Sequence, residues 1–233
     1  MELIELSKKE KTGFAIFCII FALLLIVFPC KLLLFNHPFY HSQFDKTGVY
    51  AELGKEKADS TLKQIFSFMK YEQDTIKGFD EAEISHMKDV RNLIGKLNIL
   101  FYVLLILFAL FLIIFLFWFK QKKKEKKEKY KCLFSSFAYS GLISIIVITT
   151  IGIFASVDFN LTFTLFHKIF FPMGNYIFDP SVSLLKQLFP NEFFYNCIFR
   201  CAFASLIVSV ILIISTFVYN KWSIFVRNER DRQ

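Results

Sequence analysis

The sequence predicts an all-α integral membrane protein with four transmembrane helices and a helical extracytoplasmic cap. Its 233 residues are 55% hydrophobic and 18% aromatic, and they include 32 phenylalanines, more than a soluble core of this size would use. Four long apolar runs each reach the roughly 18–20 residues that cross about 30 Å of hydrocarbon. We expect the spans at about 13–35, 97–119, 132–157 and 198–220.

The basic residues predict the orientation of these spans. The N-terminal tail, loop 120–131 and the C-terminal tail together hold 15 of the 28 basic and 7 of the 20 acidic residues, whereas the other segments are balanced. The positive-inside rule therefore predicts that both termini and loop 120–131 are cytoplasmic. We expect a multi-pass protein of the cell (plasma) membrane with its active site at the outer face. The net charge of +8 reflects this topology, and no nucleic-acid partner is expected.

The segments 36–96 and 158–197 are then extracytoplasmic, as the cap and the active-site segments of a single membrane domain that comprises the whole chain. His37 and His41 fall in a stretch rich in proline and aromatic residues, which we interpret as a turn. Surface or interface histidines are the simplest interpretation of this pair. A helical pattern follows from Asp59.

A further helix is predicted from near Asp80 into the second span, with acidic residues at its favourable N-terminal end. Glu83, His86 and Asp89 follow one another at three-residue steps, which places them on one helical face. Either carboxylate is therefore in position to orient His86 or to raise its pKa. The alternative is an exposed helix with ordinary intrahelical pairs.

The run 166–194 is strongly apolar but cannot form one continuous helix, because it contains Pro172, Gly174, Pro180 and Pro190. Its interrupted backbone cannot lie bare in hydrocarbon, where unpaired N–H and C=O groups are costly. We therefore expect it at the membrane surface, packed against other helices. It begins with an ionisable imidazole, His167, among phenylalanines, which suggests a functional site.

We predict an interfacial helix over about 160–171, a turn after it, and a short helix that Asp179-Pro180 opens and that ends near Leu188. Pro190 is expected to open the last helix in the same way. Arg200 lies about ten residues into that helix, where an intramembrane charge is a functional candidate. A snorkelling side chain is the alternative interpretation.

Several chemistries lack their motifs in this sequence. The five cysteines lie in or beside the predicted spans, and none has a spacing typical of zinc sites. No Gly-x-Ser-x-Gly elbow, His-Glu-x-x-His helix or phosphate-binding glycine loop is present, so we expect neither metal nor cofactor. His86 and His167 instead suit proton transfer near neutral pH on a lipid or a lipid-anchored substrate.

Two stretches together resemble the lipoprotein intramolecular transacylase family (Lit). They are Glu83-x-x-His86-Met87-x-Asp89-Val90 and Phe166-His167-x-x-Phe170-Phe171-Pro172-x-Gly174-Asn175-Tyr176-x-Phe178-Asp179-Pro180. The similarity extends over nearly the whole chain. It implies transfer of the sn-2 acyl chain of a diacylglyceryl-cysteine lipoprotein to the α-amine of the same cysteine, which yields a lyso-form lipoprotein.

The resemblance also implies that His86 and His167 are the catalytic pair. We expect His167 to be the general base and His86 the electrophilic or acid partner, with the roles exchangeable. Arg200, Asn175, Tyr176 or backbone N–H groups at Gly174 are candidates for binding the substrate or stabilising the oxyanion. The expected partners are the diacylated lipoprotein and membrane lipid, and we expect a monomer.

Two alternatives remain open from the sequence. One alternative to the transacylase is a lipid or lipoprotein esterase, in which water replaces the amine, and the other is a non-catalytic membrane scaffold whose histidines are structural. An intramolecular transfer has no need of a protein nucleophile, because the amine and the ester already belong to one molecule.

Overall fold

The computed structural model describes residues 7–121, 126–172 and 176–230, and the residues so described form helices and no strand. The helices are α1 (Lys8–Leu33), α2 (His37–Lys46), α3 (Val49–Leu53), α4 (Lys55–Met69), α5 (Glu81–Gln121), α6 (Lys126–Val157), α7 (Phe159–Phe170), α8 (Leu184–Leu188) and α9 (Asn191–Arg230). The all-α prediction is confirmed.

Four of these helices, α1, α5, α6 and α9, are long and apolar enough to cross a membrane, as predicted. Most extend beyond the predicted spans. Helix α5 has 41 residues, which at about 1.5 Å per residue is about 60 Å and twice the thickness of the hydrocarbon. Its first turns, which carry His86, therefore continue without a break into the second span. Part of the predicted basic loop, residues 122–125, lies outside the described residues.

The chain divides into two compact units. The first comprises the residues up to Pro29, Leu100–Thr150 and the residues from Ala202 onward. The second comprises Cys30–Ile99 and Ile151–Cys201. Each of the four long helices contributes residues to both units, whereas the short helices α2, α3, α4, α7 and α8 belong to the second unit alone.

Small residues allow close helix packing within the first unit. Ser140 and Ser144 of α6 and Ser209 of α9 are completely buried. At Gly141, a Cβ atom would lie only 2.9 Å from the carbonyl oxygen of Ser209, so only glycine permits the two helices to approach this closely. Phenylalanines fill the wider spaces, as in the stacked pair Phe17 and Phe108, whose ring centroids are 5.3 Å apart.

A hydrophobic core of large apolar side chains holds the second unit together. Phe44 of α2, Leu62 and Phe68 of α4, and Leu188 of α8 are almost completely buried in one apolar cluster. Burial of a large apolar side chain contributes about 1.5–3 kcal/mol relative to leaving it exposed. Helices too short to be stable alone are thereby fixed in place by packing.

The stretch with His37 and His41 is helical, so its predicted assignment as a turn is wrong. The side chain of Asn36 accepts a hydrogen bond of 3.0 Å from the backbone N–H of Phe39 and caps α2. Pro38 lies in the first turn, where its missing N–H has no intrahelical partner to lose. Both histidines therefore lie on one helical face, with ring centroids 6.2 Å apart.

The predicted start of the short helix at Asp179-Pro180 is also wrong. The Asp179 carboxylate accepts hydrogen bonds from the backbone N–H and the hydroxyl of Ser181 and closes a turn instead. These bonds lower the pKa of Asp179. Helix α8 begins at Leu184, where the side chain of Ser183 accepts from the N–H of Lys186. Pro190 precedes the first residue of α9 rather than occupying its first helical position.

Candidate active site

His167 lies near the end of α7 and is buried, with 6% of its surface exposed. Asp158 caps this helix by accepting a hydrogen bond from the N–H of Leu161, and the helix ends at Phe170, close to the prediction. The Nδ1 atom of His167 lies 2.7 Å from the carbonyl oxygen of Phe163, one turn earlier. Because a carbonyl only accepts, Nδ1 carries the proton and Nε2 of the neutral ring keeps its lone pair.

His86 lies on α5 and is also buried, with 7% of its surface exposed. Its ring centroid is 6.1 Å from that of His167, and the two ring planes are inclined by 24°. The structure therefore brings together two imidazoles that are 81 positions apart in the sequence. Phe171 contacts both, with its ring centroid 4.9 Å from that of His86 and 5.3 Å from that of His167.

Both histidines line a cavity of about 420 Å³ within the second unit. This volume is within the range of about 300–1,000 Å³ that is usual for small-molecule sites. Most of its lining side chains are aliphatic or aromatic, including Phe178 beside His86 and Tyr176 beside His167. The cavity can therefore accept an apolar chain and hold one end of it against two imidazoles.

Burial disfavours the charged form of His167 and lowers its pKa. The hydrogen bond to Phe163 opposes this shift, and the positive charge of Lys186 reinforces it. The imidazole is therefore neutral at pH 7, with the lone pair of Nε2 available to take a proton.

Lys186 of α8 is a cavity residue that the sequence analysis missed. Its Nζ donates a hydrogen bond to the side-chain oxygen of Asn191 and lies 5.4 Å from the centroid of the Phe163 ring. Burial lowers the pKa of its ammonium group. One signal was present in the sequence, because Lys186 is the single basic residue between Lys168 and Arg200.

The family model of Lit, the lipoprotein intramolecular transacylase, matches residues 15–194. The chain belongs to this family. It is accordingly an acyltransferase of lipoproteins and a multi-pass membrane protein. A search of curated proteins gave no match.

Solved structures of a Lit protein have the same fold. The membrane-integral Lit of Bacillus cereus is 17% identical, with a TM-score of 0.73 over 94% of this chain and 97% of that chain. A variant of it with a histidine-to-arginine substitution gives 16% identity and a TM-score of 0.70 over 96% and 94%. A histidine-to-alanine variant gives 15% and 0.64 over 96% of both chains.

Of the other residues predicted for the site, some line the cavity and others do not. Tyr176 lines the cavity, with its ring centroid 4.8 Å from that of His167. Arg200 is exposed and is not among the lining side chains. Asp89 is half-buried and does not line the cavity either. Gly174 and Asn175 lie outside the described residues.

The Glu83 carboxylate, predicted to orient His86, is buried and accepts hydrogen bonds from Ser183 and Leu185 at the start of α8. One oxygen accepts from the hydroxyl of Ser183 at 2.5 Å and from the backbone N–H of Leu185 at 2.9 Å. The other accepts from the N–H of Asp80, whose side chain in turn accepts from the N–H of Glu83, forming a capping box. Glu83 thus joins the start of α5 to the start of α8. Among the described residues, no group of three or more His, Cys, Asp or Glu side chains is arranged to hold a metal ion.

Proposed function

We propose that this Lit protein moves the sn-2 acyl chain of a diacylglyceryl-cysteine lipoprotein to the α-amine of the same cysteine, with His86 and His167 as the catalytic pair. The observation that carries this proposal is the pair of buried imidazole rings 6.1 Å apart on one apolar cavity. An apolar cavity suits the acyl chain, and two imidazoles suit the proton transfers at its ester end.

His167 is the general base in this proposal. Its Nδ1 is engaged by the Phe163 carbonyl at 2.7 Å, which leaves Nε2 as the atom that accepts a proton. Its pKa is lowered by burial, which favours the neutral form of the ring. The substrate α-amine has an ordinary pKa of about 7.7–8.0, and a neighbouring neutral imidazole removes its proton as it attacks.

The reaction balances without a water molecule or an acyl-enzyme. The amine nitrogen attacks the ester carbonyl carbon, a C–N bond forms, and the carbonyl electron pair moves to oxygen. His167 takes one proton from nitrogen, and the tetrahedral intermediate collapses as the bond between the acyl carbon and the sn-2 oxygen breaks. That oxygen receives the proton. The product is an amide and a free glycerol hydroxyl, with no change in mass.

His86 acts as the electrophilic partner. It lines the same cavity from α5, and its ring centroid lies 4.9 Å from that of Phe171 and 5.6 Å from that of Phe178. An imidazole N–H directed at the ester oxygen stabilises the charge that develops there. Tyr176, which lines the same cavity, is the best supported of the other predicted substrate contacts.

Product analysis tests the reaction. Purified protein and a diacylglyceryl lipoprotein should give a product of unchanged mass in which fragmentation locates one acyl group on the cysteine nitrogen and one on the glycerol. Isotope-labelled phospholipid should contribute no label. Release of a fatty acid with a lower product mass would identify an esterase, and an unchanged substrate would identify a scaffold.

We further propose that the enzyme works as a monomer and that its cavity opens at the outer face of the plasma membrane, with both termini in the cytoplasm. The distribution of lysine and arginine supports this orientation. Single cysteines introduced into loop 120–131 of a cysteine-free variant should react with a membrane-impermeant reagent only after the cells are opened. Labelling of this loop in intact cells would contradict the orientation.

A further inference from the structure

Among the described side chains that line the cavity, Lys186 is the single lysine or arginine. There is no aspartate or glutamate among these described side chains. The other titratable groups that line the cavity are His86, His167, Tyr40, Tyr176 and the thiols of Cys30, Cys197 and Cys201. No described carboxylate on the cavity wall therefore offsets the charge of Lys186.

The ammonium group is held in place by neutral partners. Its Nζ donates to the side-chain oxygen of Asn191, and the side-chain nitrogen of Asn191 donates to Asn160 at 3.1 Å. The same Nζ lies 5.4 Å from the Phe163 ring, whose centroid is 4.1 Å from that of His167. The positive charge is thus positioned one aromatic ring away from the proposed base.

Keeping a half-buried ammonium next to a neutral amide has an energetic cost, because burial of a charge is offset fully only by an opposite charge. No described carboxylate on the cavity wall neutralises this charge. In a site of low dielectric constant a prepositioned charge acts strongly on any opposite charge that develops during a reaction.

We propose that Lys186 stabilises the oxyanion that forms when the cysteine amine attacks the ester, and that it keeps His167 in its neutral, proton-accepting state. This inference rests on the proposed function. Lys186 transfers no proton: it supplies a positive charge near the carbonyl oxygen while the electron pair resides there. One cation thereby favours both the nucleophilic attack and the state of the base that assists it.

The direction of the pKa shift at His167 agrees with the second part of the proposal. The positive charge of Lys186 lowers that pKa in addition to the larger effect of burial. Replacing the ammonium by an uncharged group should therefore raise the pKa of His167, and the acid limb of the pH–rate profile should move to higher pH.

The experiment compares Lys186→Met, which removes the charge at similar length, with Lys186→Arg, which keeps it. The matched control is Lys168→Met, because Lys168 follows His167 on α7 but is exposed and does not line the cavity. We expect Lys186→Met to lower kcat by about 10²-fold, as the loss of one oxyanion-stabilising group does. Lys186→Arg should lose less than about tenfold, and Lys168→Met should remain within about twofold.

The outcomes separate this inference from the proposed function. If wild-type protein forms no N-acylated product, the proposed function itself is wrong. If wild type is active and Lys186→Met keeps its kcat and its acid limb, only the role of Lys186 is refuted. Equal losses in the Met and Arg variants with an unmoved acid limb would also refute it, because packing alone would then explain them. Should Lys186→Met fail to fold, Lys186→Gln, which keeps a polar group without the charge, decides by the same measurements.

Discussion

Two pairs of histidines in this protein have nearly the same ring geometry. The centroids of His86 and His167 are 6.1 Å apart with an interplanar angle of 24°, and those of His37 and His41 are 6.2 Å apart with an angle of 26°. Their surroundings are different. The first pair is buried on the apolar cavity, whereas His37 is exposed and His41 is half-buried, and neither lines that cavity.

The polar partners of the two pairs differ as well. The Nδ1 of His41 lies 2.6 Å from the hydroxyl of Tyr50 and 3.0 Å from the Asp59 carboxylate. His167 instead contacts a backbone carbonyl and lies near the ammonium of Lys186. The distance between two imidazoles therefore does not define this kind of site. Burial and a cavity for the substrate distinguish the first pair.

The largest effect is expected from alanine at either member of the first pair. His167→Ala removes the proposed base and His86→Ala the proposed electrophile, so each should lower the rate of acyl transfer by about 10²-fold or more. The rate of formation of the N-acylated product, measured on detergent-solubilised protein, checks this. His37→Ala serves as the control for loss of an imidazole and should stay within about threefold.

A thermal unfolding curve for each variant shows whether the variant is folded. A lower rate of acyl transfer in a folded variant is then a loss of catalysis and not of structure. Retention of full activity by folded His167→Ala would show that the proposed mechanism is wrong, even though the family assignment would stand.

The next effect concerns Glu83, the carboxylate near the first pair. Glu83→Ala would leave the Ser183 hydroxyl and the N–H groups of Leu185 and Asp80 without their acceptor. We expect a loss of roughly 2–4 kcal/mol in the free energy of unfolding, measured as a lower unfolding temperature. Glu81→Ala, an exposed neighbour, should lose less than about 0.5 kcal/mol. Equal losses would contradict the role of Glu83 as a link between α5 and α8.

Features that depend on the local sequence could be predicted, whereas contacts between distant segments could not. His167 was recognisable because an ionisable residue interrupts a run of phenylalanines, and His86 because helical periodicity is a local property. The contact of Glu83 with Ser183 was not predictable because Ser183 lies 100 residues away, and a three-residue step predicts only the neighbour along the helix. Sequence periodicity alone contains no information on such tertiary contacts.

Lys186 was missed for a related reason. A single lysine in a short amphipathic stretch has the pattern of a solvated face, and only the packing of α7 and α9 around α8 encloses it. The four spans were predictable because length and apolarity are properties of each segment by itself. The starts of the short helices α2 and α8 were less predictable. Several residues in each stretch are suitable caps, and tertiary packing selects among them.

The third effect is a pH dependence that only the buried pair should produce. The pKa of His167 is lowered below its ordinary value of about 6.5. Its neutral form is the base, so the rate should fall up to tenfold per pH unit once the pH drops below that lowered pKa. The unfolded chain binds this proton more readily than the folded one, so the free energy of unfolding should also decrease as the pH falls below about 6.5.

The substrate amine contributes a separate step near pH 7.7–8.0, which should be the same with every enzyme variant. Rates between pH 5 and 9 check the profile. If His41→Ala moved the acid limb and Lys186→Met did not, the titrating group would belong to the other pair.

The smallest effect is expected at His41 itself, and it is the sharpest test of the comparison. The side chains of His41 and Asp59 are 42% and 32% exposed, and partly exposed polar contacts of this kind contribute about 0.2–1 kcal/mol. His41→Ala should therefore lower the free energy of unfolding by less than about 1 kcal/mol and change the rate of acyl transfer by less than about twofold.

A double-mutant cycle of His41→Ala with Asp59→Ala should give a coupling in the same range, because the two side chains are in direct contact. A rate loss at His41 as large as that at His167 would mean that the second pair takes part in the reaction, and burial on the cavity would then no longer distinguish the catalytic histidines from the surface ones.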